Sequence, residues 1–231
     1  MKTSFWSRLF DLIAPRTCAI CGSRLSPNEN AICGTCQLHL PLTRYEQAAY
    51  DNPMARLFWG LLPVERAAAL FFYEPRSETA RFIYDLKYFQ RPDIGVTMGM
   101  KAARQFSPHD FFTGIDAIVP IPVTRTRRWR RGYNQSEQIA TGISSVTGLP
   151  VYKNVVVRDR FTESQSHKNA LERRSNVANA FRLIDADKIR NKHLLMVDDI
   201  VTTGATIIAC GEELCKAGNV KLSILSLGLT Q

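Results

Sequence analysis

Residues His193 to Ile207 read HLLMVDDIVTTGATI. An apolar run leads into two adjacent carboxylates, Asp198 and Asp199. After Ile200 and Val201 comes a turn rich in hydroxyls, Thr202-Thr203-Gly204-Ala205-Thr206, and then a helical pattern. This order suits a phosphorylated sugar. The N–H groups at a helix start lack partners within the helix and carry positive partial charge, which favours a phosphate. Gly204 permits close approach of the backbone and φ angles that other residues avoid. Thr202, Thr203 and Thr206 add hydroxyl donors. Asp198 and Asp199 can accept hydrogen bonds from the vicinal hydroxyls of a ribose, and one of them can hold Mg²⁺ through water. A strand ending in an Asp N-cap would explain the acid pair alone. It would not explain the full succession of strand, acids, turn and helix.

A second constellation is Cys18-x₂-Cys21 with Cys33-x₂-Cys36, two pairs separated by eleven residues. Gly22 and Gly34 follow the second and third cysteines and allow the tight turns of metal knuckles. Four thiolates make a closed tetrahedral site of the structural Zn²⁺ type, and iron fits the same ligand set. Cys210 and Cys215 lie on the last helical stretch without such spacing and read as ordinary buried or half-buried residues.

A third group is basic. Residues 125–131, RTRRWRR, hold five arginines and one tryptophan. Arginine forks suit phosphate oxygens, and a tryptophan among arginines suits stacking on single-stranded nucleic acid. The plain alternative is a solvated basic helix with Trp129 turned into the core. Arg158 to Ser175 is long and polar, in keeping with a lid or a surface helix with a flexible lead-in.

The elements that must position these groups follow from apolar periodicity. Ala117–Ile121, Val151–Val157, Leu194–Val197 and Val220–Leu227 are short apolar runs, expected as buried strands of a parallel sheet. Ser136 to Ser145, Ala205 to Ala217 and Arg81 to Tyr88 have helical character. Strand–helix alternation from Asp116 onward indicates an α/β layered fold. Phe5, Leu9, Leu12 and Ile13 fit a short amphipathic helix. With 231 residues the chain can form one good core plus a small appendage, or two modest domains. The formal charge of +9 suggests an anionic partner, or simply a solubilising surface. No stretch approaches the roughly 20 apolar residues of a membrane helix. Arg8 and Asp11 argue against a signal peptide, so a cytoplasmic protein with reduced cysteines is expected.

The string around Asp198 resembles the PRPP-binding motif of type I phosphoribosyltransferases. Further motifs occur in order: Val119-Pro120-Ile121-Pro122, Arg131-Gly132-Tyr133-Asn134-Gln135, then Gln165, Glu172-Arg173-Arg174 and Asn176. With the leading cysteine pairs they make nearly the whole chain similar to the ComF/GntX family, most weakly over residues 46–80. That resemblance implies an α/β type I phosphoribosyltransferase fold, a parallel sheet flanked by helices with a hood, plus a small zinc-ribbon-like module. It implies a module over residues 1–45, a hood or linker over 46–115 and the core over 116–231. It implies PRPP as ligand, with Mg²⁺, and a structural Zn²⁺ on the four cysteines.

The PRPP site would then comprise the turn 202–206, Asp198 and Asp199, Arg125 and Arg131 behind a pyrophosphate loop at Pro122–Arg125, Lys168 and Arg173 on a closing loop, and Lys87. That loop keeps few of the small residues common in such enzymes. No dedicated general base is visible, and Asp199 is the best candidate. Because the family is associated with natural competence and with DNA uptake or utilisation, single-stranded DNA and proteins of the competence machinery are the expected partners. A transferase with an unknown acceptor, a PRPP sensor, and a non-catalytic DNA-binding accessory protein acting through the arginine segment and the zinc module all fit the motifs.

Overall fold

The computed structural model describes residues 15–158 and 180–230. Its centre is a parallel sheet of four strands: β1 (Val64–Tyr73), β2 (Ala117–Pro120), β5 (His193–Val201) and β6 (Lys221–Thr230), in the order β1-β6-β5-β2. Side chains alternate across it. Leu195 and Val197 face one apolar cluster, while Leu194 and Met196 face the other, so both faces of the sheet are covered.

Helices α3 (Glu78–Tyr88), α4 (Pro92–Phe106) and α6 (Gln135–Thr147) pack on the first face through Phe82, Leu86, Met98 and Ile139. The second face carries α7 (Ala205–Cys215) through Ile207, Cys210 and Leu214. It also carries Met54 and Ala55 of the short helix α2 (Pro53–Arg56), with Phe58 just beyond. Near the N-terminus is α1 (Gly34–Leu38), and α5 (Arg125–Arg131) leads from β2 towards α6.

Most expected elements are present, with shifted ends. The run Val151–Val157 is not one parallel strand. Val151 makes a single parallel bridge to Ile118, and β3 (Val156–Arg158) instead pairs antiparallel with β4 (Phe181–Leu183) in a separate small sheet. The polar residues Lys153 and Asn154 interrupt the run with an exposed bend. Strand β1 was not among the expected runs. Its Ala67-Ala68-Ala69 centre favours helix by intrinsic preference, but those side chains are fully buried, and pairing with β6 decides the conformation. The amphipathic helix expected from Phe5 to Ile13 and the lid expected after Arg158 lie outside the described residues.

Helices α4 and α6 cross in backbone contact. A Cβ placed on Gly99 would stand 2.2 Å from the carbonyl oxygen of Ile139, and one on Gly142 would stand 2.1 Å from that of Val96. Neither oxygen belongs to a side chain that could move aside. This crossing fixes where α6 begins, and α6 begins at the site described below. Gly142→Ala is therefore expected to cost about 1–3 kcal/mol or more through overpacking. Urea unfolding of the two proteins checks this, and an unchanged midpoint would contradict the close crossing.

Candidate functional site

All four parallel strands end on one edge of the sheet, where ligands of open α/β folds bind. Strand β5 carries Asp198 and Asp199 to that edge, and the chain then turns into α7. Gly204 makes the turn with φ of +75°, and a Cβ there would also stand 2.9 Å from the Phe58 ring. Ile208 N–H is the first to reach back along the helix, to the Gly204 carbonyl at 2.9 Å. The N–H groups of Ala205, Thr206 and Ile207 precede it and have no intrahelical carbonyl. Thr202 and Thr203 are exposed, so the turn is open to solvent. Asp198 and the stretch from Ile200 to Ile207 line a small cavity of about 50 Å³.

A larger cavity of about 170 Å³ adjoins it, sharing Asp198, Ile200 and Thr206. Its wall is strongly polar. Lys87 Nζ lies 2.9 Å from Asp199 Oδ2, and Ser136 Oγ donates to Asp198 Oδ1 at 3.1 Å. The Asp199 and Ile200 backbone N–H groups donate to Asp198 Oδ1 and Asp199 Oδ1 at 2.9 and 2.7 Å. Burial pushes the Asp198 carboxyl up to about 7. The charge of Asp199 adds to the rise, while the Asp199 N–H, the Ser136 hydroxyl and Lys87 oppose it.

Lys87 and Ser136 are held by their neighbours. Tyr133 donates its hydroxyl to the Leu86 carbonyl, tying α3 to the start of α6. Asn134 donates to the Ile121 carbonyl at 2.9 Å and caps α6 by accepting the Ser136 N–H. The arginine segment is a helix capped by Thr124, with Arg127 and Arg131 four residues apart on the face that lines the cavity. Arg128 turns instead to Glu137, at 2.8 Å. Trp129 is 85% exposed, so the plain alternative of a tryptophan turned into the core does not hold.

Of the expected site residues, Lys87, Arg131, Asp198, Asp199 and Thr206 meet at the larger cavity, and Thr202 to Thr206 line the smaller one. Arg125 is exposed at the first position of α5 and lines neither cavity. Helical spacing brings Arg127 there instead, and Arg158 joins from β3. Lys168 and Arg173 lie outside the described residues. Ser136, Arg127 and Arg158 were missed as site residues, and Gln135 was noted only within a motif. The 127/131 spacing and the Asn134 cap were the signals that could have found three of them.

The four cysteines converge, with all four Sγ atoms within 4.8 Å of one another and Cys21 and Cys33 at 3.8 Å. A tetrahedral centre with Zn–S bonds of about 2.3 Å requires sulfur separations of roughly this size. The Cys33 and Cys36 N–H groups donate to the sulfurs of Cys18 and Cys33 at 3.3 and 3.5 Å. The Glu29 carboxylate accepts the Ser26 and Gly34 N–H groups and so braces the second knuckle. Burial, followed by the neighbouring thiols, pushes the Cys36 thiol well up, whereas hydrogen bonds from Ser23 bring Cys21 down to about 6. Sulfurs crowded in this way are what a divalent cation neutralises, so the cluster is compatible with a structural zinc.

A parallel sheet flanked by helices, with the acid pair, turn and helix at its C-terminal edge and a four-cysteine module ahead of it, is the architecture expected of a type I phosphoribosyltransferase fold. No family model matches the chain. It is nevertheless similar to proteins named DNA utilization protein YhgH and Competence protein F. It is 26% identical to the DNA utilization protein YhgH of Salmonella typhimurium over 226 residues, 94% of this chain and 98% of that protein. It is 28% identical to the YhgH of Escherichia coli strain K12 over 213 residues, 91% and 88% of the two. Competence protein F of Haemophilus influenzae is 34% identical over 113 residues, about half of each chain at 48% and 49%.

Among solved structures, the glutamine PRPP amidotransferase of B. subtilis aligns over 61% of this chain and 30% of its own, at 18% identity and a TM-score of 0.40. The adenine phosphoribosyltransferase of Leishmania tarentolae aligns over 57% and 70%, at 15% identity and a TM-score of 0.34.

The Asp198 carboxyl gives a pH dependence with a definite sign. A carboxyl raised from its ordinary range to about 7 binds its proton more tightly in the folded state. Its contribution is fully present below the ordinary carboxylate range and is lost as pH rises towards 7. Asp198→Asn, which cannot ionise, should gain melting temperature over the unliganded parent between about pH 5 and about pH 8. Thermal unfolding at both pH values checks this, and a gap of equal size at both would contradict it.

Proposed function

We propose that the chain binds PRPP at this edge of the sheet and acts as a phosphoribosyltransferase on an acceptor still to be identified. The observation that carries the proposal is an acid pair beside an open helix-start turn, facing a cavity walled by Lys87, Arg127 and Arg131. In this scheme the turn Thr202–Thr206 seats the 5-phosphate through its N–H groups and hydroxyls. Asp198 and Asp199 accept the ribose hydroxyls, and the arginine wall takes the diphosphate. The carboxylate pair also offers hard oxygens to a Mg²⁺ brought with the diphosphate, whose charge would ease their mutual repulsion.

In transfer, the nucleophile forms a bond to C1 as the C1–O bond to diphosphate breaks, and the electron pair leaves with the diphosphate. The chain's contribution is to hold these groups in line. Asp199 is engaged by Lys87, which leaves Asp198, near neutrality, as the carboxyl suited to take a proton from the acceptor.

We assign Zn²⁺, in a structural role, to the four cysteines. A place in DNA utilisation or competence, in the cytoplasm and beside the proteins of that machinery, is proposed from the names of the relatives. No helix among the described residues is long and apolar enough to cross a membrane.

Calorimetric titration with PRPP and Mg²⁺ tests the proposal. The parent should bind, and Asp198→Ala/Asp199→Ala and Gly204→Ala should each weaken binding by about tenfold or more through lost charged hydrogen bonds or a closed turn. Absence of binding by the parent, or equal binding by both variants, would remove it.

One observation favours single-stranded DNA as a second ligand. Tyr84, Tyr88 and Phe89 are exposed and clustered, with ring centres 4.6 Å apart for the first pair and 5.8 Å for Tyr84 and Phe89. Arg131 stacks over Tyr88 at 5.4 Å and links this ridge to the arginine helix with its outward Trp129. Exposed rings beside a cationic groove suit base stacking along a phosphate backbone. Fluorescence anisotropy with a single-stranded oligonucleotide should show binding that falls steeply with salt and weakens roughly tenfold in Trp129→Ala/Arg130→Ala. An oligonucleotide that fails to bind at low salt sinks this second ligand.

A further inference from the structure

The residue that opens α6, Gln135, is 1% exposed and lines the larger cavity, yet its Nε2 has no hydrogen-bond partner among the described residues. Chemistry fixes the orientation of its amide. An arginine only donates, so the atom that receives Arg131 Nη1 at 2.8 Å must be Oε1, and the amide hydrogens point elsewhere. Buried amide hydrogens are nearly always satisfied, so an open one beside a cavity marks a place where a bound group supplies the acceptor.

The rest of the wall narrows the kind of acceptor. Lys87 and Ser136 are already engaged by the two aspartates. Arg127 and Arg158 share the wall with Gln135, and burial, with the nearby Arg127 charge, lowers the Arg158 guanidinium from its ordinary range. This stretch of wall offers donors and positive charge and calls for a group dense in anionic oxygens. Two backbone positions beside it have no N–H to give. Pro122 has no N–H, and the Arg127 N–H is taken by the Thr124 hydroxyl.

We infer that Gln135 is a specificity-determining residue whose amide donates to the diphosphate of the bound sugar, alongside Arg127 and Arg158. Side chains thus supply donors to the diphosphate beside Pro122, which has no N–H. This rests on the ribose diphosphate site proposed above and deepens it.

The full chain, titrated calorimetrically with PRPP, ribose 5-phosphate and inorganic pyrophosphate in Mg²⁺, tests the inference. Gln135→Glu is the sharpest variant. It keeps the shape and an oxygen for Arg131, replaces the donor by an acceptor and adds a negative charge, and Gln135→Leu removes the donor without that charge. Affinity for PRPP and for pyrophosphate should fall by about tenfold or more, the cost of losing a hydrogen bond to a charged group, while ribose 5-phosphate binds as before. Gln135→Leu should show the same selective loss. If its melting temperature drops, the neutral Gln135→Met takes its place beside the Glu variant.

Unchanged pyrophosphate binding in Gln135→Glu, or an equal loss for ribose 5-phosphate, overturns the assignment. A parent that binds PRPP and ribose 5-phosphate while its variants do not discriminate removes the inference alone. A parent that binds neither removes the underlying site as well.

Discussion

Two like charges stand side by side at the end of a buried strand, and much of the surrounding structure serves to accommodate them. Asp198 and Asp199 cannot both be ionised cheaply where water is scarce. The molecule answers them differently. Asp199 receives Lys87 from α3, and Asp198 receives the Ser136 hydroxyl and a backbone N–H, with a proton held up to about pH 7. Lys87 is in reach because Tyr133 holds the neighbouring Leu86 carbonyl, and Ser136 because Asn134 caps α6 and bonds back to Ile121. The glycine crossing of α4 and α6 holds the frame in which both contacts occur. An acid pair that looks local in the sequence is in fact set by groups from three elements.

The arginine helix divides its labour in the same spirit. Seven residues make a marginal helix by themselves. Thr124 closes its start and Gly132, at φ of +79°, closes its end, while the Arg128–Glu137 pair fastens it to α6. With its two ends and one side fixed, positions 127 and 131 face the cavity and position 129 faces solvent. One short helix thus presents guanidinium groups inward to the polar cavity and an indole outward.

The sequence made legible what depends on short range. The acid pair, the turn and the cysteine knuckles are each written within a few residues, and buried strands such as Leu194–Val197 announce themselves by apolar continuity. What escaped depends on partners distant in the chain. Strand β1 looks helical by its alanines until β6 is beside it. Arg125 and Arg127 are equivalent as residue types, and only the helix start at Thr124 tells which of them faces inward. Ser136 is signalled only by the Asn134 cap beside it, because its role is to meet a carboxylate 62 residues further along. Val151–Val157 resembled one strand, and its polar centre divided it between two sheets.

The cysteine module shows the same dependence from the other end of the chain. A unit of this size buries too little to hold itself together, and small modules of this kind take a metal or a neighbour to compensate. This one has a neighbour as well as a four-cysteine cluster compatible with zinc. Cys18, Ile20, Leu25 and Ile32 are buried in the same apolar cluster as Phe82, Leu86 and Ile94 of α3 and α4. Cys18 is a ligand candidate and a core residue at once. Helix α3 also brings Lys87 to Asp199. The four-cysteine module therefore shares its apolar cluster with the helix that carries one wall of the site.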